Sequence, residues 1–597
     1  MSTTTMRKRA MPRAITKING EDAAVVLERR NLVFSGYQDP DSQWNAGMQS
    51  YASKGALNFV AASLDFNGPT LTLTYDTGEE RTEDNFAIVR PGANFTGIAT
   101  GEDFYNRFCN PESAALTAAE ATSTTSEAAS SATAATVTPE PTIEGYPFPV
   151  IRDNGANITH GYFLNGTGYE DVAVLAVNGF SPSGDFNGNE YLRNFQETLE
   201  KFLADCKAQN KKRLVIDVLG NGGGYVVAGY ELFTQLFPDA PKFQAHNLRE
   251  TESLRQMAEV AGRFLDQIVS FDASTITVNA SERVQPAVRI AAAQAEDAAQ
   301  AQATAFAILQ QSSIVSNLVP GGVFAPDGSN LTSVDQILSP VTIKGDRFTA
   351  YQQTPLNMTS PSFNLTGTGN KANPAPAVFA PEDIVILTDG TCGSTCTLFS
   401  YLMILQLNIK TTVVGGRPQP GPMQSVAGVE GAQVFYLQEL SAAATAVLLL
   451  DPASNVTDSE LALLDEGYAL SRAFNPDSPG AVNGKNAFSR MDSQTPLQFL
   501  YQPANCRIFW TKEMLFAPEE VWKRTVDATW ADPDRFCVEG SRVNLDMSAK
   551  VTDTKFFVGG KGAPVVGESS AQRGTGGIEG FKVVSATVVA LVMALLI

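Results

Sequence analysis

The chain has 597 residues, too many for one hydrophobic core, and 43% of them are hydrophobic, so most of it can fold, as two or three domains with tails. Its formal net charge is −20 and its pI about 4.7. A surface this acidic repels phosphate backbones and argues against nucleic acid as a partner.

Residues 1–13 carry Arg7, Lys8 and Arg9 with no apolar run behind them, so they read as an unstructured start and not as a signal peptide. Residues 14–111 form a small β-rich unit: Ala14–Gly20 suggests a strand ending in a turn, Glu21–Arg29 a short helix, and Thr70–Tyr75 alternates at strand period. Residues 112–145 are a linker rich in Ala, Ser and Thr that cannot bury enough apolar surface to offset its ordering entropy. The central block, 146–430, opens with a continuous apolar run at Asp171–Val177, a helical spacing of Leu192, Phe195, Leu199 and Phe202, and a second buried run at Arg213–Val218. Strand, helix and strand within that length make a βαβ unit. Further strands are predicted at Asp383–Thr388 and Thr411–Val414, with an apolar helix over Leu398–Leu407 between them. An insertion at about 250–375 includes an Ala-rich helix over Gln285–Gln311. Residues 431–560 read as a C-terminal extension with an amphipathic helix around Pro518–Trp530. Residues 561–597 are a polar, Gly-rich spacer and an apolar tail, Val583–Ile597, behind small residues at Ser569, Ser570 and Ala571; that order matches a GPI-attachment signal.

Six cysteines permit three disulfides. Cys392 and Cys396 have a spacing that could serve zinc, but the chain has only two histidines, His160 and His246, and no second such pair, so an oxidised pair or two buried thiols is the better reading and no metal is expected. Eight N-x-S/T sequons, at Asn94, Asn157, Asn165, Asn279, Asn330, Asn357, Asn364 and Asn455, lean with the cysteines toward the secretory pathway. The expected location is extracellular or at the cell surface, with membrane contact only through the lipid anchor.

Two segments carry chemistry. Asp217–Gly224, D-V-L-G-N-G-G-G, ends a buried strand and precedes a helix over Tyr225–Phe237. Such a glycine run turns sharply with its amides exposed. It is not a P-loop, because Tyr225 and Val226 stand where Lys-Ser/Thr is needed, and the G-x-G-x-x-G spacing fails as well. An oxyanion hole or a purely structural turn remains. The second segment, Ile384–Phe399, runs from strand through a Gly-containing turn into an apolar helix, with Ser394 at the helix start. That geometry can project a serine from the sheet edge; the bland alternative is a helix N-cap.

The two segments, their order and their flanking strands resemble the tail-specific (C-terminal processing) serine peptidases. Asp217–Gly224 stands where that family has Asp-Leu-Arg-x-Asn-x-Gly-Gly, and Cys392-Gly393-Ser394-Thr395-Cys396 stands where it has Ser-Ala-Ser-Ala-Ser-Glu. Residues 14–100 resemble the PDZ-like module of the group. The set it most resembles is the secreted fungal members, similar to chlamydial protease-like activity factor. The resemblance implies an α/β fold with a crotonase/ClpP-like βαβ peptidase core, an N-terminal PDZ-like module and a C-terminal extension. It implies Ser394 as nucleophile, amides of Thr395 and of Gly222 or Gly223 as the oxyanion hole, a peptide or protein substrate and no cofactor.

The general base does not carry over. The family's lysine neighbourhood here is Gly415–Pro422, with Arg417 and no lysine, and arginine is too basic for the task. The chlamydial-factor branch resembles a Ser-His-Glu triad whose histidine lies upstream of the PDZ-like module, and no histidine precedes residue 14 here. His160, read as lying in a surface loop, and His246 are the imidazoles on offer, and the acid is open among Glu430, Glu439, Asp451 and Glu466. A truncated N-terminus would account for the missing histidine and signal together; the rival is a pseudoenzyme that binds peptides or cell-wall components without catalysis.

Overall fold

The computed structural model describes residues 13–52, 68–85, 94–109, 143, 145–154, 156–182, 187–270, 298–338, 340–354, 363–427, 431–450, 480–490, 492–515 and 517–543. Most of the predicted linker, the first part of the Ala-rich helix and the apolar C-terminal tail lie outside these residues.

In the N-terminal unit, β1 (Ile15–Ile18) and β2 (Glu21–Asp22) are an antiparallel pair turned at Asn19 and Gly20, both at positive φ. The Asp22 carboxylate accepts the amides of Ala24 and Val25 and caps α1 (Ala23–Phe34), so this helix starts two residues later than the sequence suggests and runs further. A second helix, α2 (Pro40–Ala46), has Asp39 as its cap and Pro40 in its first turn. With β3 (Thr70–Tyr75) and β4 (Glu80–Asp84) the sheet order is β2-β1-β3-β4.

The central unit is built on β5 (Ile151–Arg152), β6 (Thr159–Phe163) and β7 (Val172–Val177), with β6 antiparallel to each of its neighbours. All of β7 is buried, as a continuous apolar run requires of a strand covered on both faces. Helix α3 (Gly188–Ala208) crosses to the parallel strand β8 (Arg213–Asp217), completing the predicted βαβ unit, and α4 (Val226–Leu236) follows. The chain then departs through β9 (His246–Leu248), α5 (Glu252–Arg263) and α6 (Ala298–Gln311), and returns to the central unit after a hairpin of β10 (Val341–Ile343) and β11 (Asp346–Phe348). Strand β12 (Ile384–Thr388) leads to α7 (Thr395–Tyr401), which continues as a π-helical turn through Gln406, and then to β13 (Lys410–Val414). Next come β14 (Gly431–Tyr436), α8 (Leu437–Leu450), β15 (Ala481–Ala487), β16 (Cys506–Ile508) and α9 (Pro518–Val526).

The large sheet has seven strands in the order β16-β13-β12-β8-β7-β6-β5. Successive residues of its central strands alternate between two cores. Leu175, Leu214, Ile216 and Ile386 face α3, α4 and α7, whereas Val174, Val215, Val385 and Leu387 face α9 and its Trp522. Strand β15 pairs with both β14 and β9, so the insertion and the segment after residue 431 share one sheet and one apolar cluster that includes Met257, Leu309 and Val447.

Helix α2 is seated on the central unit by buried polar contacts. Asp41 is paired with Arg417 at 3.1 Å and with Arg507 at 3.3 Å, and the Arg507 side chain is 1% exposed. The Asn45 amide group donates to the carbonyls of Asp389 and Val414 at 2.7 and 2.8 Å, while its oxygen accepts the Gly416 amide. Asp39 accepts the Gln424 amide. Removing one partner of a buried pair strands the other charge. Asp41→Ala should therefore lower the unfolding free energy by about 3 kcal/mol, read as a fall in denaturant midpoint at unchanged slope; a loss below about 1 kcal/mol, the size of an exposed pair, would contradict the seating.

Candidate active site

The two chemical segments are the connections that leave the C-terminal ends of the neighbouring parallel strands β8 and β12. In the first, Gly220, Gly223 and Gly224 all have positive φ, at 66°, 113° and 138°. The glycine requirement is steric at two of them. A Cβ on Gly224 would collide with the backbone of Phe180 and Ser181, and one on Gly223 would sit 2.6 Å from the Ser394 Cβ and 3.0 Å from the Thr395 nitrogen. The bend is pinned by Asn221, wholly buried, whose Oδ1 accepts the Gly223 amide and whose Nδ2 donates to the Val177 carbonyl, both at 2.9 Å.

The second segment lies against this bend. The Gly393 amide donates to the Asn221 carbonyl at 3.2 Å, and the Thr395 hydroxyl to the Gly224 carbonyl at 2.6 Å. Asp389 joins the two: one carboxylate oxygen accepts the Gly220 amide at 3.2 Å, the other the amide and hydroxyl of Thr391 at 3.0 and 2.6 Å. An Asp opening a D-G-T turn is a sequence signal for the local bonds; its reach to Gly220 was not legible. Ser394 has φ 50° and ψ −123°, a region that costs a non-glycine residue about 1–3 kcal/mol and survives only where neighbours over-determine it. It stands at the N-cap position of α7, yet its side chain makes no capping bond, and its hydroxyl has no hydrogen-bond partner among the described residues. The N-cap alternative holds for the position of Ser394 and not for a capping bond.

Of the predicted oxyanion donors, Thr395 is the first residue of α7, so its amide has no acceptor within that helix. Gly222 and Gly223 lie in the facing bend, and the Gly223 amide is held by Asn221. Cys392 and Cys396 form a disulfide, which removes them as metal ligands, and Cys506 is bridged to Cys537. Cys206 is a free, buried thiol in α3.

The histidines differ. The sequence reading of His160 as a surface-loop residue is wrong: it is a wholly buried residue of β6, because Thr159–Phe163 pairs with β7 instead of looping out. Its Nε2 meets Asn178 Oδ1 and its Nδ1 the Tyr162 hydroxyl, both at 2.8 Å, in an aromatic cluster with Tyr146. His246 instead lines a cavity with Ser394, together with Leu398, Tyr401, Phe243 and Phe488. Its Nδ1 is buried without a partner among the described residues, and burial, assisted by the Lys485 ammonium, holds the imidazole well below its ordinary pKa and therefore neutral. Lys485, 3% exposed, is itself pushed down to about 8 by burial and donates to Asn317 Oδ1 at 2.7 Å. Arg417 is engaged by Asp41 and Glu28. Glu439, on α8, accepts the Ser313 amide; Glu430, Asp451 and Glu466 lie outside the described residues.

Asp217, at the start of the glycine bend, is fully buried. Its carboxylate accepts the Tyr51 hydroxyl at 2.8 Å, the Trp522 indole N–H at 2.7 Å and the Leu219 amide at 3.0 Å, tying the N-terminal unit and α9 to the base of the bend. Burial pushes it up to about 6 against the pull of these donors. A carboxyl whose folded pKa is raised contributes stability that is complete below its unfolded value and is lost as pH rises through its folded one. Asp217→Asn should thus flatten the pH dependence of unfolding free energy between about pH 4 and about pH 7, by about 3 kcal/mol relative to the parent. Parallel profiles for the two proteins would contradict a raised Asp217.

A CPAF-like PDZ domain profile matches residues 2–94, and the peptidase family S41 profile matches residues 171–429. The peptidase S41 family protein ustP of Aspergillus flavus is 30% identical over 66% of this chain and 76% of its own length. The S41 family proteins phomP1' and phomP1 of Diaporthe leptostromiformis are 26% identical over 86% of this chain and 76% of theirs. Two solved structures of mature CPAF, the first complexed with lactacystin, align over 86% and 90% of this chain and 76% and 80% of theirs, at 12% identity and TM-scores of 0.39 and 0.40, too loose a likeness to carry any residue's role across. The chain belongs to peptidase family S41, with a CPAF-like PDZ domain ahead of its peptidase domain.

Proposed function

We propose that this protein hydrolyses peptide bonds as a serine-type endopeptidase, through an acyl-enzyme on Ser394. The observation that carries the reading is the Ser394 hydroxyl, which does not cap the helix it precedes and lies on a turn pressed against Gly223. In the reaction, Ser394 Oγ bonds to the substrate carbonyl carbon while its proton passes to a base and on to the leaving amine. The developing oxyanion is taken by the Thr395 amide and by Gly222 or Gly223; the latter serves only if its amide leaves Asn221. Water then releases the acid and restores the hydroxyl. The cavity beside Ser394, with Leu398, Tyr401 and Phe488, suits an apolar side chain of a peptide or protein substrate. No cofactor enters this scheme.

The base is His246 in this reading, as it is the imidazole that shares the cavity with Ser394. The same neighbours supply a rival. Lys485 opposes the imidazolium that proton transfer would create, and among the described residues no carboxylate is bonded to the His246 Nδ1. That favours a second reading, a peptide-binding protein of the family that does not catalyse. An extracellular or surface location is proposed from the two disulfides, which persist in oxidising compartments, and from exposed sequon asparagines at Asn94, Asn165 and Asn330.

A fluorophosphonate probe decides between the readings. Covalent capture mapping to Ser394, abolished in Ser394→Ala, supports the peptidase; no capture in the folded chain supports the binding protein. Gly223→Ala should slow capture about 100-fold by pushing on the Ser394 Cβ, since a displacement of about 1 Å costs that much, and an unchanged rate would show that the contact does not place the serine.

A further inference from the structure

We propose that the Cys392–Cys396 disulfide is a positioning element for Ser394: closed, it holds the serine at its left-handed backbone angle against Gly223; opened to two thiols, it lets the hydroxyl leave that geometry. The catalytic consequence rests on Ser394 being the nucleophile, whereas the placement of the turn does not.

The bridge joins the residue two before Ser394 to the residue two after it, so the serine is the midpoint of a small covalent ring. The serine's φ of 50° is not one that a non-glycine residue keeps unaided. The ring's two ends are separately fixed. The Cys392 carbonyl accepts the Ala427 amide at 2.8 Å and the Thr397 hydroxyl at 2.7 Å, and the Cys396 amide donates to the Gly393 carbonyl at 3.0 Å in the first turn of α7. Between these anchors, the bonds that hold Gly393 and Thr395 run across to the glycine bend, to Asn221 and Gly224. The Ser394 side chain adds no bond of its own, so the disulfide is the one covalent constraint across the strained residue.

Both cysteines are wholly buried in the core beneath α7, which makes this bridge a fixed staple and not a readily thrown surface switch. Reduction converts the disulfide and two equivalents of a thiol reductant into two cysteine thiols and one reductant disulfide, with two electrons and two protons transferred to the protein. The second bridge, Cys506–Cys537, ties β16 to the segment after α9 and provides an internal control. The Ser394 geometry is thus set in the compartment where the disulfide forms.

The experiment compares fluorophosphonate capture and hydrogen exchange of the 389–398 segment in the full chain, native, reduced with dithiothreitol and reoxidised. Cys392→Ser/Cys396→Ser and Cys506→Ser/Cys537→Ser are run alongside. The expected result is capture slowed about 100-fold on reduction and in the first double variant, restored by reoxidation, with faster exchange of that segment in both and capture unchanged in the second variant. Equal capture and equal exchange in the native chain and in a reduced chain whose Cys392 and Cys396 are shown by mass spectrometry to be thiols would overturn the proposal, as would mass spectrometry finding Cys392 and Cys396 as thiols in the native protein. If the native chain is not captured at all, the nucleophile reading fails, and exchange alone decides the positioning: faster on reduction supports it, unchanged refutes it. If the Cys392→Ser/Cys396→Ser chain does not fold, reduction of the folded parent gives the same comparison.

Discussion

Everything at this site depends on one close approach between two backbones. The connections after β8 and β12 emerge side by side because those strands pair in parallel, and they meet because Gly223 has no side chain to hold Ser394 away. Crevices at the carboxyl ends of parallel strands are where α/β sheets present ligands. Here the crevice is closed by hydrogen bonds that run from one connection to the other, through Asn221, Thr395 and Asp389. Asn221 and Asp389 do this without touching a substrate, and Thr395 does it through its hydroxyl. Each helps to hold the glycine bend and the Ser394 turn at a fixed separation, and oxyanion stabilisation requires donors in fixed places.

The N-terminal unit takes part in the same scaffold. Asn45 bonds the carbonyl of Asp389, the residue that bridges the two connections, and Tyr51 bonds Asp217 at the root of the glycine bend. Asp41 and Arg507 secure α2 from the far edge of the sheet. A disturbance of the unit around α2 would therefore reach the site through two hydrogen bonds, without any contact to the serine itself. This gives the CPAF-like PDZ domain a physical route of influence on the peptidase domain.

Much of this was legible in the sequence, and what was not has physical causes. Val172–Val177, Arg213–Asp217 and Ile384–Thr388 could be read as strands because burial on both faces leaves continuous apolar runs. Ser394 and the glycine bend stood out by residue type, but their juxtaposition came only with the family resemblance, since strand pairing is not written in either segment. His160 was misplaced because T-H-G-Y-F beside a sequon looks like a loop; pairing with β7 and the positive φ of Asn157 before it make it a strand. The seating of α2 was invisible, because Asp41 and Arg507 are 466 positions apart and ordinary charged residues until they are buried together. The shared sheet of β9 and β15 was hidden for the same reason, with 239 positions between Asn247 and Asn486.

The central claim is that the hydroxyl of Ser394 and the amides of Thr395 and the glycine bend address one carbonyl. A crystal structure of the phosphonylated protein tests it most directly. The account predicts a phosphorus bonded to Ser394 Oγ, with one phosphonyl oxygen about 3 Å from the Thr395 nitrogen and from a nitrogen of Gly222 or Gly223. An adduct whose oxygens point to solvent, or one formed on another residue, would contradict it.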